Sequence, residues 1–338
     1  MLTARLTKKG HLSTDKLSLK LIDTEFTRKL LRHRELEKLC STYLIPFTQM
    51  CDKNDRLHGK FGQGTTITGR LSSYSPNLQN IPIRSENGKR VRELFIPEEG
   101  YNLVIFDYNQ IELRLLAHFS QDPLLLRAYK DDLDLHNETA KMIFKTDTPT
   151  TAQRYIAKQL NFSVVYGAGA KKFQEIVLSQ ANEKIEFSEE AALQAIDKFF
   201  SVYSRVNWWK QKVVEICQQL GYVRTLLGRT IPVKNIASKN RFLRFAAERE
   251  CVNYILQGSA GDVIKRAMIR IASSFPKLRL IGSIHDELIF ELCQEGECTL
   301  SECTPTIALI ENLMEDCGEL KGVELKVKGK MVQNWGEK

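Results

Sequence analysis

Leu103-Val104-Ile105-Phe106-Asp107-Tyr108-Asn109-Gln110-Ile111-Glu112-Leu113-Arg114 runs from apolar residues into a carboxylate and then back to apolar residues at helical spacing. The run Leu103 to Phe106 follows Gly100 and predicts a buried strand that ends at Asp107, and Ile111 to Phe119 predicts a helix. A carboxylate where a strand gives way to a helix is held rigidly, yet it stays reachable from a cleft.

Far along the chain, Arg279 to Ile284 and Leu288 to Leu292 are short apolar runs around His285-Asp286-Glu287, a pattern that predicts a hairpin with acids at its tip. Neighbours on a strand face opposite ways, so only one of Asp286 and Glu287 points directly at a site shared with Asp107. Two carboxylates on adjacent strands hold divalent cations through hard oxygen ligands. From spacing alone, each also fits a turn or helix-cap aspartate.

Between these segments, Arg154, Lys158, Phe162 and Tyr166 recur at intervals of four residues. Each step advances by about 400°, so the ladder drifts only ~40° per step and stays on one face of a helix over 151–166. Two cations, a ring and a phenol suit a nucleoside triphosphate laid lengthwise, with phosphates on the cations and sugar and base on the rings. An amphipathic helix with a solvated basic end has the same pattern. Gly167 and Gly169 follow as a helix stop and a hinge.

Around these segments the composition is that of a globular protein: 338 residues, 43% hydrophobic and 27% charged, enough for two to three packed subdomains. The net charge of +8 permits a polyanionic partner without identifying one. No stretch approaches the ~18 apolar residues of a membrane helix. Met1 to Lys20 is basic, has no acid before Asp15 and lacks an apolar core, which argues against secretion. The eight cysteines contain no CxxC pair, and Cys293, Cys298 and Cys303 lack the partners of a zinc site. They read as free thiols in a reducing compartment. Residues 16–45 read as helical, 57–83 as turns and short strands, and 151–166, 189–220 and 240–273 as long helices. The architecture is therefore α+β, a modest sheet with helices packed around it.

Six segments in order resemble family A, polymerase I-like, DNA polymerases. Asp107 to Arg114 resembles the palm motif DYSQIELR, Arg154 to Gly167 (RYIAKQLNFSVVYG) the finger-helix motif RxxxKxxNFGxxYG, and Ile284 to Glu287 the last palm motif VHDE. Thr68 to Ser73 and Pro76 to Pro82 match TGRLSS and PNLQNIP, and Ala246 to Gly258 fits a further long family helix.

The resemblance implies a right-hand polymerase fold with an antiparallel palm sheet, helical fingers and a partial helical thumb. Its expected boundaries are a partial thumb over 1–55, palm over 56–130 and 241–338, and fingers over 131–240. It implies a template-directed enzyme that adds dNTPs to a primer 3′-hydroxyl. Two Mg²⁺ ions, with Mn²⁺ as an alternative, would be held by Asp107, Asp286 and the Tyr108 carbonyl, with Glu287 as a helper carboxylate.

Arg154, Lys158 and His136 would bind the triphosphate, Phe162 would pack on the sugar, and Tyr166 would sit near the template base. Gln110 belongs to the same dNTP site, and Glu112 would crowd out a ribose 2′-hydroxyl. Arg70, Asn77, Gln79, Asn80, Arg249, Asn253, Gln257 and His285 would meet primer–template DNA, partly through its minor groove, whose acceptors barely vary with sequence.

Asn109 and Ser163 stand where the family motif has Ser and Gly, and Ser163 is expected to stiffen the finger helix. Lys8 to Leu21 resembles the thumb tip without the preceding thumb helices. The expectation is a chain without proofreading and with a weak grip on DNA, located in a bacterial or phage-infected host cytoplasm or in an organelle. Two alternatives follow. One is the catalytic part of a split polymerase that needs a separate polypeptide supplying thumb or exonuclease. The other is a single-subunit RNA polymerase, against which Glu112 and Phe162 argue.

Overall fold

The computed structural model describes residues 9–83, 85–163, 165–181, 185–293 and 300–337. Of the sequence readings, those on Met1 to Lys8, Val164, Cys298 and the Cys303 side chain lie outside the described residues. In chain order, α1 (Lys16–Ile22), α2 (Glu25–Leu39) and α3 (Ile45–Met50) come first, a π-helical turn joining the last two. Next come β1 (Lys60–Gly62), β2 (Ser72–Tyr74), α4 (Glu86–Glu93), β3 (Tyr101–Tyr108), α5 (Ile111–Ser120) and α6 (Pro123–Lys130). A helical stretch follows with α7 (Leu135–Phe144), α8 (Thr151–Ser163), α9 (Ala170–Gln180), α10 (Glu189–Val202) and α11 (Ser204–Leu220). The rest is β4 (Tyr222–Arg224), β5 (Thr230–Pro232), α12 (Arg241–Ser274), β6 (Arg279–Ile284), β7 (Glu287–Cys293), α13 (Leu300–Glu315) and β8 (Val327–Val332).

The chain divides into two compact units, one of residues Met1–Met50 and Asp134–Val202, the other of Cys51–Leu133 and Tyr203–Lys338. The first is helical. Its core gathers Leu135, Ala157, Leu160, Phe173 and Phe199, all nearly or fully buried. Each of the Leu and Phe side chains among them contributes about 1.5–3 kcal/mol by leaving water.

The second unit is built on an antiparallel sheet of order β6-β7-β3-β8. Central β3 is buried over Leu103–Phe106, which explains its unbroken apolar run, since a strand covered on both faces need not alternate. Phe106 and Phe290 meet edge-to-face across β3 and β7, with ring centroids 5.8 Å apart. Helix α12, 34 residues long and so about 51 Å at ~1.5 Å per residue, packs against α5, α11 and α13.

Two long helices of the sequence reading are divided in the structure. The stretch 16–45 breaks at Asp23, which adopts the left-handed conformation (φ 47°), and Thr24 opens α2 with a reciprocal capping box to Thr27. The stretch 189–220 breaks at Tyr203, whose backbone leaves the helical region (φ −94°, ψ 59°) while its ring is fully buried. Burial of that ring outweighs the helical periodicity on either side. The helix expected over 151–166 ends at Ser163. There the Ser163 hydroxyl donates to the Gln159 carbonyl at 2.6 Å, a back-bond that competes with the helix ladder. Gly167 (φ 81°) then closes the end, with the Ala168 N–H donating to the Ser163 carbonyl at 3.1 Å in a Schellman-type bond.

Candidate active site

The register of the central sheet sets Asp107 of β3 opposite Glu287 of β7, with Asp286 next to Glu287 at the hairpin tip. The Tyr108 N–H donates to the Asp286 carbonyl at 3.2 Å. Asp107 and Asp286 therefore share one end of two adjacent strands. The hairpin tip is His285-Asp286, with exposed His285 in the left-handed region (φ 55°). Glu287 opens β7 and turns inward. It is buried, and its Oε1 accepts a hydrogen bond from Trp335 Nε1 at 2.9 Å. Tyr108 is also buried, its hydroxyl donating to the Met314 carbonyl at 2.9 Å.

Beyond β3 the chain turns through Gln110, in the left-handed region (φ 52°), into α5. Arg114 secures this turn by donating from Nε to the Asn109 carbonyl at 2.9 Å and from Nη1 to the Glu324 carbonyl at 2.8 Å. The Gln110 side chain accepts from the Tyr129 hydroxyl at 3.1 Å. Glu112, in the first turn of α5, pairs with Arg70, whose Nη2 also lies 3.4 Å from Asp286 Oδ1. Burial pushes the Glu112 carboxyl up to about 6, with the Arg70 charge pulling the other way and the nearby Asp286 adding to the rise. A guanidinium already stands where cationic charge at Asp286 is favoured, and the carboxylates and backbone carbonyls at this strand end are hard oxygen donors of the kind that suits Mg²⁺. Among the described residues there is no group of three or more His, Cys, Asp or Glu side chains placed to hold a metal.

Beside the carboxylates, a cavity of about 400 Å³ is lined by Arg70, Gln79, Gln257 and His285, with Tyr254 and Lys265. Four residues expected at DNA thus face one space. Arg70 Nε and Asn253 Oδ1 are buried without a hydrogen-bond partner within the protein. Arg249, Asn253 and Gln257 recur every four residues on α12, Arg249 being exposed. The loop that carries Asn77, Gln79 and Asn80 is held in part by local bonds. Gln79 Nε2 donates to the Leu71 and Ser283 carbonyls at 3.2 and 3.0 Å, Asn77 caps the short helix over Leu78–Asn80, and Asn80 is exposed.

The ladder residues lie in the helical unit. Arg154 and Lys158 are exposed on α8, Phe162 is half-buried a turn further, and Tyr166 follows in the closing turn. Arg154 donates from Nε and Nη2 to Asp134 Oδ2 at 2.9 and 2.6 Å. Asp134 also caps α7, accepting from the His136 and Asn137 amides. His136 is buried against Phe162, and Asn161 Nδ2 donates to its Nδ1 at 3.0 Å, leaving the ring proton on Nε2. Burial lowers the His136 pKa to about 4, so the ring is neutral near pH 7. Asp134, Asn161 and Trp335 escaped the sequence reading. Asn161 lies inside the ladder segment, but its role shows only once α7 and α8 are packed together.

The model of DNA polymerase family A matches residues 1–337. This chain belongs to that family. It is 38% identical over 315 residues to the thermostable DNA polymerase I of Thermus caldophilus, covering 91% of this chain and 36% of the relative. It is 38% identical over 337 residues to DNA polymerase I of Helicobacter pylori strain J99, covering 97% of this chain and again 36% of the relative. The chain thus spans about a third of the length of these curated relatives. Among solved structures it resembles the POL domain of Pol1 from M. smegmatis, in complex with DNA primer-template and dNTP. The TM-score is 0.88 at 33% identity, over 99% of this chain and 58% of that one. The fold is the α+β right-hand polymerase fold of family A. No described helix is long and apolar enough to cross a membrane.

Proposed function

We propose that this family A chain catalyses template-directed addition of deoxynucleotides to a primer 3′-hydroxyl, with Asp107 and Asp286 as the carboxylates that hold two Mg²⁺ ions and the Tyr108 carbonyl as a further ligand. The observation that carries the reading is the antiparallel pairing of β3 with β7, which puts the backbones of the two aspartates at one strand end, with Arg70 and Glu112 beside Asp286. Cations bound at such an oxygen set lower the pKa of the attacking hydroxyl and offset the charge of the departing pyrophosphate.

The protein supplies binding and orientation. Arg154 and Lys158 bind the triphosphate, and neutral His136 donates its Nε2–H to a phosphate oxygen. Phe162 packs on the sugar and Tyr166 sits near the template base. Gln110 belongs to the same nucleotide site, and Glu112 crowds a ribose 2′-hydroxyl. Arg70, Gln257, Asn253, Arg249 and His285 meet the primer–template duplex. Asn77, Gln79 and Asn80 hold the adjoining loop against it. Buried Glu287 supports the sheet end from behind instead of binding an ion directly.

Primer extension by the purified chain with Mg²⁺ tests the reading, beside Asp107→Ala and Asp286→Ala. Each substitution is expected to remove at least ~10³-fold of the rate. Equal extension by wild type and both variants would exclude the carboxylate assignment. A parallel arm with rNTPs tests Glu112, since Glu112→Ala is expected to lose about tenfold or more of the preference for dNTPs. The same gels read 3′→5′ excision, which we expect to be absent from this chain.

A further inference from the structure

We infer that Asp262, acting through Arg229, is a positioning residue that fixes the direction of Arg70. The inference rests on the reading of Arg70 as a minor-groove contact at the primer end.

Asp262 lies on α12 with only 6% of its side chain exposed, and both carboxylate oxygens are used. Thr225 Oγ1 donates to Oδ2 at 2.6 Å, and Arg229 Nη2 pairs with Oδ1. The turn that carries these partners is closed on itself. The Thr225 N–H donates to the Arg229 carbonyl at 2.9 Å, and the Arg229 N–H donates to Thr225 Oγ1 at 3.0 Å. The Arg229 guanidinium therefore has little freedom while Asp262 is charged.

That guanidinium fills the space a Cβ would need at Gly69, the residue before Arg70. Gly69 sits in the left-handed region (φ 75°), its N–H donating to the Thr66 carbonyl at 3.1 Å. Two independent features thus require glycine there, a positive φ and a covering cation. On the other side, α12 approaches the Arg70 backbone through Gly261, where an added Cβ would lie 3.4 Å from the Arg70 nitrogen. Thr66 Oγ1 holds the Arg70 carbonyl at 2.7 Å. The Arg70 backbone is fixed by Arg229 before it and by α12 beside it, and its side chain then reaches Glu112 and Asp286. Removing the Asp262 charge releases Arg229, and with it the cover over Gly69.

A primer ending in 3-deazaguanine, which has C–H in place of the minor-groove ring nitrogen, reports whether Arg70 is correctly aimed. The readout is the single-turnover extension rate on a normal primer relative to the modified one. Wild type should lose about tenfold or more on the modified primer, the scale of one charge-assisted hydrogen bond. Arg70→Ala should bring the ratio close to unity. Asp262→Asn and Arg229→Gln should do the same, while KM for the dNTP stays near the wild-type value.

Ser259→Ala is the control. Its hydroxyl accepts from the Leu226 N–H at 2.9 Å, in the same helix–turn contact but away from Arg229. That variant should keep the full wild-type ratio. If Asp262→Asn does not fold, Arg229→Gln decides, because its side chain is 34% exposed and glutamine keeps an N–H donor while removing the charge. Full sensitivity in Asp262→Asn and Arg229→Gln, with Arg70→Ala insensitive, would overturn the positioning role alone. Full sensitivity in Arg70→Ala would refute the minor-groove reading, and the inference would fall with it.

Discussion

Glu287 and His136 are two buried polar residues whose neighbours set what they can do. Glu287 is next to a proposed metal-holding aspartate in sequence but faces away from it, with Trp335 Nε1 as donor and Arg92 stacked 4.2 Å from the same indole ring. Trp335→Phe leaves the carboxylate short of a donor and should cost about 1–3 kcal/mol, read as a lower urea midpoint. His136 gives a pH signature. Its folded pKa of about 4 lies below the ordinary 6.5, so the unfolded chain binds more protons between these values. The stability contribution is present above about pH 6.5 and lost as the pH falls towards 4. His136→Gln should flatten the melting temperature against pH over that window. An unchanged acid slope would mean that other groups dominate it.

At the scale of the element, the start of α7 joins helix capping to the proposed nucleotide site. Asp134 accepts from two amides of α7 and pairs with Arg154 of α8. The ion pair is half-exposed and contributes little by itself. Loss of the cap should dominate, so Asp134→Ala is expected to destabilise the chain by about 1 kcal/mol and Asp134→Asn by much less. Thermal melts of the two variants check the difference. Helix α8 also shows how a glycine sets a boundary. Gly167, in the left-handed region, closes the end with the Ala168 N–H on the Ser163 carbonyl, although the four-residue ladder continues to Tyr166.

For the whole molecule, the net charge of +8 and the cationic residues around the cavity proposed to face DNA predict binding dominated by phosphate neutralisation. The affinity for primer–template should fall linearly in log Kd against log salt, by ~0.9 per phosphate neutralised. Fluorescence anisotropy between low and moderate salt measures it. A flat dependence would remove the electrostatic basis of the proposed interface.

Much of this architecture is legible in the sequence. The strand Leu103–Asp107 announces itself because a centrally buried strand must be apolar on both faces, and the hairpin around His285-Asp286 because its strands flank a polar turn. The Arg154, Lys158 and Phe162 ladder is legible because helical geometry puts every fourth residue on one face. Breaks at Asp23 and Tyr203 were not legible, since a capping box and a buried ring override periodicity locally.

What the sequence determines by itself is the set of groups and their local order: two aspartates at the ends of apolar runs, a basic and aromatic helix face, and a glycine before Arg70. Only the tertiary structure decides that Asp107 registers with Glu287, that Glu287 turns to Trp335, and that Asp262 holds Arg229 over Gly69. The reason is physical. Periodicity and propensity act within a few residues, whereas strand register and the pairing of buried charges are fixed when segments hundreds of residues apart pack and must satisfy one another's polar groups.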